Sequence, residues 1–129
     1  MATDASTYAQ AAMNGRVTDL NSGGGNAEIR LYDSGSTLLL TYDLGTISAA
    51  TDACPSVASP ASLPIDATAA ATGTVDNAEL RNGSGTVRRN YTSSDIGTTS
   101  SGNPIEISSL SVTSGQAVRL TACVFRQPC

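Results

Sequence analysis

Along this chain the apolar positions recur first with a helical period and then with a period of two. Ala9, Met13, Val17 and Leu20 fall three or four residues apart, which places them on one face of a helix. Asp4 or Ser6 stands where a helix cap is needed, and Gly15 weakens the helix by about 1 kcal/mol relative to Ala. Ser22-Gly23-Gly24-Gly25 ends it. Such a helix at a chain end has two docking places, its own sheet or a neighbouring subunit. From Asn26 the period changes, because Ala27, Ile29 and Leu31 alternate with Glu28, Arg30 and Tyr32, the pattern of a half-buried strand. Asp33-Ser34-Gly35-Ser36 is a turn, after which Leu38, Leu40, Tyr42 and Leu44 share one face of a second strand.

The middle of the chain is less regular. Cys54-Pro55, Ser59-Pro60 and Leu63-Pro64 predict a long loop from Ala49 to Pro64, since Pro lacks the N–H a ladder needs. A short edge strand is expected near Leu63 to Ala67, and an Ala/Thr-rich strand over Thr68 to Val75. Ala78-Glu79-Leu80-Arg81 continues or restarts that strand. Asn82-Gly83-Ser84-Gly85 is a further turn, followed by a strand from Thr86 to Tyr91 with Val87, Arg89 and Tyr91 on one face. Ser93 to Asn103 reads as loop.

The last regular stretch, Ile105 to Phe125, reads as a closing β-hairpin on which the earlier strands pack. Its turn is Thr113-Ser114-Gly115-Gln116. Strict alternation turns Val118, Leu120, Ala122 and Val124 inward and leaves Arg119, Thr121, Cys123 and Phe125 on the other face. In all, about seven or eight short strands are separated by turn clusters, the pattern of an all-β antiparallel sandwich or jelly roll with a short N-terminal helix. The domain division is a helical arm over 1–22 and a single β-sandwich domain over 23–129.

Composition narrows the function classes. The 129 residues suit one core. With one Phe, four Tyr and no Trp, that core is built from small aliphatic side chains. The net charge is −4 and all seven cationic residues are Arg, so nucleic acid is an unfavoured partner. Alternation puts the only basic run, Arg88-Arg89, on opposite strand faces. No apolar run approaches the length of a membrane span, and the first residues show no leader pattern. A soluble chain without a membrane partner is expected.

The absence of His and Lys removes Ser-His, Cys-His, Schiff-base and Ser-Lys chemistry. A glycosidase-like carboxylate pair from Asp33, Asp43, Asp52, Asp66, Asp76, Glu79, Asp95 or Glu106 is the remaining catalytic option, but most of these residues fall in turns or on outward strand positions. Neither catalytic residues nor a cofactor are expected. Asp33-Ser34-Gly35 and Asp76-Asn77 lack the alternation of a calcium loop, so no metal is expected either. Cys54, Cys123 and Cys129 have no zinc spacing. Bridges Cys54–Cys123 and Cys54–Cys129, an inter-subunit bridge through Cys129, and free thiols all stand as alternatives. Asn82-Gly83-Ser84 and Asn90-Tyr91-Thr92 match the glycosylation acceptor pattern, which matters only in a eukaryotic secretory protein. A glycan-stacking platform has only Tyr8, Tyr32, Tyr42, Tyr91 and Phe125 to draw on, with Tyr32 and Tyr91 the candidates for exposure.

The succession Asn26-Ala27-Glu28-Ile29-Arg30-Leu31-Tyr32-Asp33-Ser34-Gly35, Leu38-Leu39-Leu40, Gly73-Thr74-Val75 and Thr113-Ser114-Gly115-Gln116-Ala117-Val118 resembles small β-sandwich virion structural proteins of tailed bacteriophages. The likeness runs from Tyr8 to Pro128, and the Cys54–Pro64 loop and the cysteine-containing tail depart from it. It implies a non-enzymatic capsid decoration or cement protein, made in the host cytoplasm and resident in the virion. Its partners would be the major capsid protein or other virion proteins, and it would act as a homo-oligomer, a trimer being common among cement proteins. The candidate contact surfaces are the stripe Ala9, Met13, Val17 and Leu20 and the face Arg119, Thr121, Cys123 and Phe125. The alternative is a tail- or fibre-associated module that recognises a host glycan or receptor.

Overall fold

A computed structural model describes residues 5–53, 56–61 and 63–127. Helix α1 (Ser6–Leu20) is followed by β1 (Ala27–Tyr32), β2 (Leu38–Gly45), β3 (Ser56–Ala58), β4 (Ile65–Thr68), β5 (Gly73–Thr74) and β6 (Asn77–Arg81). Then come β7 (Val87–Tyr91), a 3-10 turn at Ser93–Asp95, β8 (Ile96–Thr98), β9 (Ile105–Ile107), β10 (Ser111–Val112), β11 (Ala117–Cys123) and β12 (Phe125–Gln127). The protein is all-β with one N-terminal helix.

Two four-stranded sheets, ordered β2-β1-β6-β7 and β4-β11-β9-β8, carry most of the strands. Pairing is antiparallel except for β8 with β9. Ile29, Leu31, Tyr42 and Leu80 from the first sheet and Ile105, Ile107, Val118 and Leu120 from the second share one buried cluster. The Tyr42 hydroxyl donates to the Val118 carbonyl at 2.9 Å, so the sheets face each other as layers of a sandwich. Two short pairs, β10 with β5 and β12 with β3, and an isolated antiparallel bridge between Ile47 and Pro60 complete the β structure of the described residues.

The helix stripe Ala9, Met13, Val17 and Leu20 is buried within the chain itself. The helix packs on β3 and β12, which settles its docking place in favour of its own domain. Its N-cap is Ala5, without a side-chain cap bond. Ser6 is already helical, and Asp4 lies outside the described residues. The polar side chains of the helix also bind the chain after β2. Asn21 exchanges two hydrogen bonds with the Ile47 backbone, Asn14 accepts from the Ala50 N–H, and Gln10 donates to the Ala50 carbonyl. These bonds satisfy backbone groups that have no ladder partner there.

The Gly-rich segment after the helix is pressed against the β6–β7 turn. A Cβ on Gly83 would overlap the carbonyl oxygens of Ser22 and Gly25, and one on Gly23 (φ 97°) would overlap the Ser84 N–H. Backbone lies directly on backbone, a spacing only Gly allows.

Several predicted elements are redrawn. The expected strand over Thr68 to Val75 shrinks to Gly73–Thr74, because the backbone of 69–70 bonds instead to Leu39, Gln116 and Gly115. The expected loops contain β3, paired with β12, and β8, paired with β9. The closing hairpin forms through β9 and β11, while Ser111–Val112 leaves it to pair with β5.

One correction changes the surface. Leu120 and Ala122 of β11 bond to the adjacent residues Ile107 and Glu106 of β9, so Thr121 is the extra residue of a β-bulge. Beyond it the alternation reverses. Cys123 and Phe125 are buried, while Ala122 and Val124 are half-buried.

Candidate functional site

Neither of the two contact surfaces expected from the sequence stays whole. Ala9, Met13, Val17, Leu20, Cys123 and Phe125 are core residues, so six of the eight expected contact residues are covered by the chain's own fold. Arg119 and Thr121 stay outside. The Arg119 guanidinium forms a fork with the Asp66 carboxylate at 2.8 and 3.3 Å, which holds that carboxyl below its ordinary range. The Thr121 hydroxyl donates to the Glu106 carbonyl and lies 3.1 Å from that of Thr99.

Other candidates are absorbed by local structure. Asp33 Oδ1 accepts from the Gly35 and Thr37 N–H groups, Asp43 Oδ1 from the Gly45 N–H, and Asp95 bonds back to Thr92 in a capping box. These are turn and cap roles. No group of three or more Cys, Asp and Glu able to hold a metal occurs among the described residues. Asn82 is buried, with its Oδ1 accepting from Ser84 and Thr86, so this acceptor pattern is spent on the turn. Cys123 is a buried free thiol that burial pushes up to about 12. Cys54 and Cys129, the other members of the expected bridges, lie outside the described residues. Among those residues no helix is long and apolar enough to cross a membrane.

The glycan platform is also absent in the expected form. Tyr91 is buried. On the outer face of the first sheet, the Tyr32 hydroxyl donates to Glu79 Oε1 at 2.5 Å, and Arg81 bonds the same oxygen at 3.2 Å. The Tyr32 bond, and then Arg81, hold the Glu79 carboxyl below its ordinary value.

The structure does build a site that the sequence pattern missed. A cleft of about 990 Å³ opens between α1, β7 and β12. Met13, Leu20, Leu80, Tyr91 and Phe125 form its apolar floor, and Arg16, Arg88, Arg89 and Arg126 line it. Four of the seven arginines therefore meet at one place on an acidic protein. Arg88 is paired with Asp19, Nε to Oδ2 at 2.9 Å. Arg89 stands over the Tyr91 ring, 5.5 Å from its centroid, in cation–π contact. Arg16, Arg89 and Arg126 have no carboxylate partner among the described residues, whereas Arg30, Arg81 and Arg119 elsewhere each have one.

Both members of the basic pair reach the cleft because β7 carries its own bulge. Arg89 is opposite Leu80 and Val87 is opposite Arg81, which leaves Arg88 as the extra residue. Strict alternation would have sent the two arginines to opposite faces. The adjacent basic pair beside a turn was the visible signal, and the bulge was not.

Comparison with known proteins finds no match to this chain among family models, curated proteins or solved structures.

Proposed function

We propose that this chain is a non-enzymatic structural protein of a bacteriophage particle, a decoration or cement protein that binds neighbouring shell subunits. The arginine-lined cleft carries the reading. Its one carboxylate, Asp19, is engaged by Arg88, and its charged groups are otherwise cations suited to recognition rather than to proton transfer. The phage-like succession of turns and strands supplies the particle context. The solvent-facing Arg119 and Thr121 remain candidate contacts on the second sheet, while the helix stripe acts by holding the domain together. A receptor-binding tail module is the less favoured reading, since Tyr91 is buried and Tyr32 is engaged by Glu79, which leaves Tyr8 as a lone exposed ring among the described residues.

The test is to add the purified chain to phage heads that lack it and measure occupancy and heat resistance of the shell. Saturable binding of hundreds of copies, on the order of one per shell subunit or trimer, with a raised shell melting temperature, is expected. Absence of binding to heads, or affinity on a glycan array instead, would overturn the reading.

A further inference from the structure

We propose that the cleft between α1, β7 and β12 docks an extended acidic peptide segment that also carries apolar side chains, supplied by the partner protein. Three observations converge on that occupant. First, Arg16, Arg89 and Arg126 line the cleft without carboxylate partners among the described residues, although the chain as a whole is acidic. Unpaired guanidinium groups gathered around one concavity are complementary to carboxylates, which they can grip in a planar fork.

Second, the floor is apolar and aromatic, but Met13, Leu20, Leu80, Tyr91 and Phe125 are each nearly covered already. A floor so nearly covered offers shallow apolar contact and no tunnel for a long alkyl chain. Third, β7 is the outer strand of its sheet and β12 pairs only with β3, so both strands bordering the cleft have an edge without a neighbouring strand among the described residues. An extended segment can use such an edge through its own backbone while carboxylates meet the arginines. Nucleic acid fits less well, because a protein of net charge −4 repels a polyanion outside the cleft.

The inference takes the source of the segment from the particle reading above, but its test needs no particle. A random peptide library is selected on the immobilised full chain, and the enriched peptides are titrated by fluorescence anisotropy. Enrichment of Asp or Glu beside Phe, Leu or Ile is expected. Affinity should fall about tenfold or more in R89A/R126A and in R16E, weaken as salt is raised, and stay unchanged in R30A, whose arginine is paired with Glu28 away from the cleft. The four cleft arginines are exposed, so circular dichroism should be unaltered; if R89A/R126A does not fold, R16E decides. No acidic preference, equal affinity in the arginine variants, tighter binding of an oligodeoxythymidine than of the peptides, or self-association abolished by the same variants would each overturn the assignment. A chain that selects acidic peptides but leaves heads undecorated sinks the particle reading alone.

Discussion

The hydroxyl of Tyr42 on β2 donates to the carbonyl of Val118 on β11 at 2.9 Å, a hydrogen bond made through the middle of the core. Tyr42 is fully buried, and burial above all, with the Asp66 charge as a smaller cause, raises its hydroxyl above its ordinary value. Replacing Tyr42 by Phe keeps the ring and removes the donor. A loss of about 1–2 kcal/mol in urea-unfolding free energy is expected. No change would mean that the Val118 carbonyl is served otherwise.

The bulge at Thr121 makes a ranking that strict alternation reverses. Phe125→Ala should destabilise by about 3–5 kcal/mol, because a buried ring leaves a cavity. Val124→Ala should lower stability by about 1 kcal/mol, since Val124 is only half-buried. Chemical denaturation of the two variants compares them, and a larger effect at Val124 would place the bulge elsewhere.

Cys123 makes stability fall in alkali. Its folded pKa is pushed up to about 12, from an ordinary value of 9.0, so between those values the unfolded chain releases a proton that the folded chain keeps. Stability is therefore full below about pH 9 and declines as pH rises toward 12. In a C54S/C129S background the remaining thiol should resist Ellman's reagent until urea unfolds the chain. That background should also lose stability above pH 9 faster than the same chain carrying Cys123→Ala. Fast labelling of the native protein would contradict its burial.

Helix α1 can be improved at Gly15, where an added Cβ meets nothing within 4 Å. Gly15→Ala should stabilise by about 0.5–1 kcal/mol. Met13→Ala, on the face packed into the core, should destabilise by about 2–5 kcal/mol. Thermal melts that leave Met13→Ala unaffected would mean that the helix is not anchored in its own domain.

Acid should act through Glu79. Its carboxyl is held below its ordinary value by the Tyr32 hydroxyl and then by Arg81. The stabilisation is present above the unfolded value near 4.5 and is lost as pH falls through the lowered folded value. Urea midpoints should drop more steeply with acid in the wild type than in Glu79→Gln. Parallel slopes would remove Glu79 from the acid response.

Much of the first sheet could be read from the chain because Ala27, Ile29, Leu31, Tyr42 and Leu44 follow one period and the Asp33 turn joins their strands. The helix was legible for the same reason. What escaped were register shifts by one added residue, three of them inside the strands: Leu39 between the partners of Leu31 and Tyr32, Arg88 in β7, and Thr121 in β11, besides a fourth at Leu44 near the end of β2. Such an insertion depends on the neighbouring strand and leaves no mark in its own hydrophobic pattern. Two of the three decide the surface, since they bring Arg88 beside Arg89 and withdraw Cys123 and Phe125 from it. Strands β3 and β8 were hidden because each is three residues long and owes its pairing to a distant segment. The cleft needed all of these positions at once.

The contact of Gly23 and Gly25 with Gly83 bears on how that cleft works. It joins the end of α1 to the start of β7, the elements that contribute Arg16 and Asp19 on one side and Arg88 and Arg89 on the other. With no side chains between them the two backbones touch directly, which ties the two sides of the cleft together at that end. An incoming segment would find its seat already shaped, and the ordering needed on binding would fall on the guest.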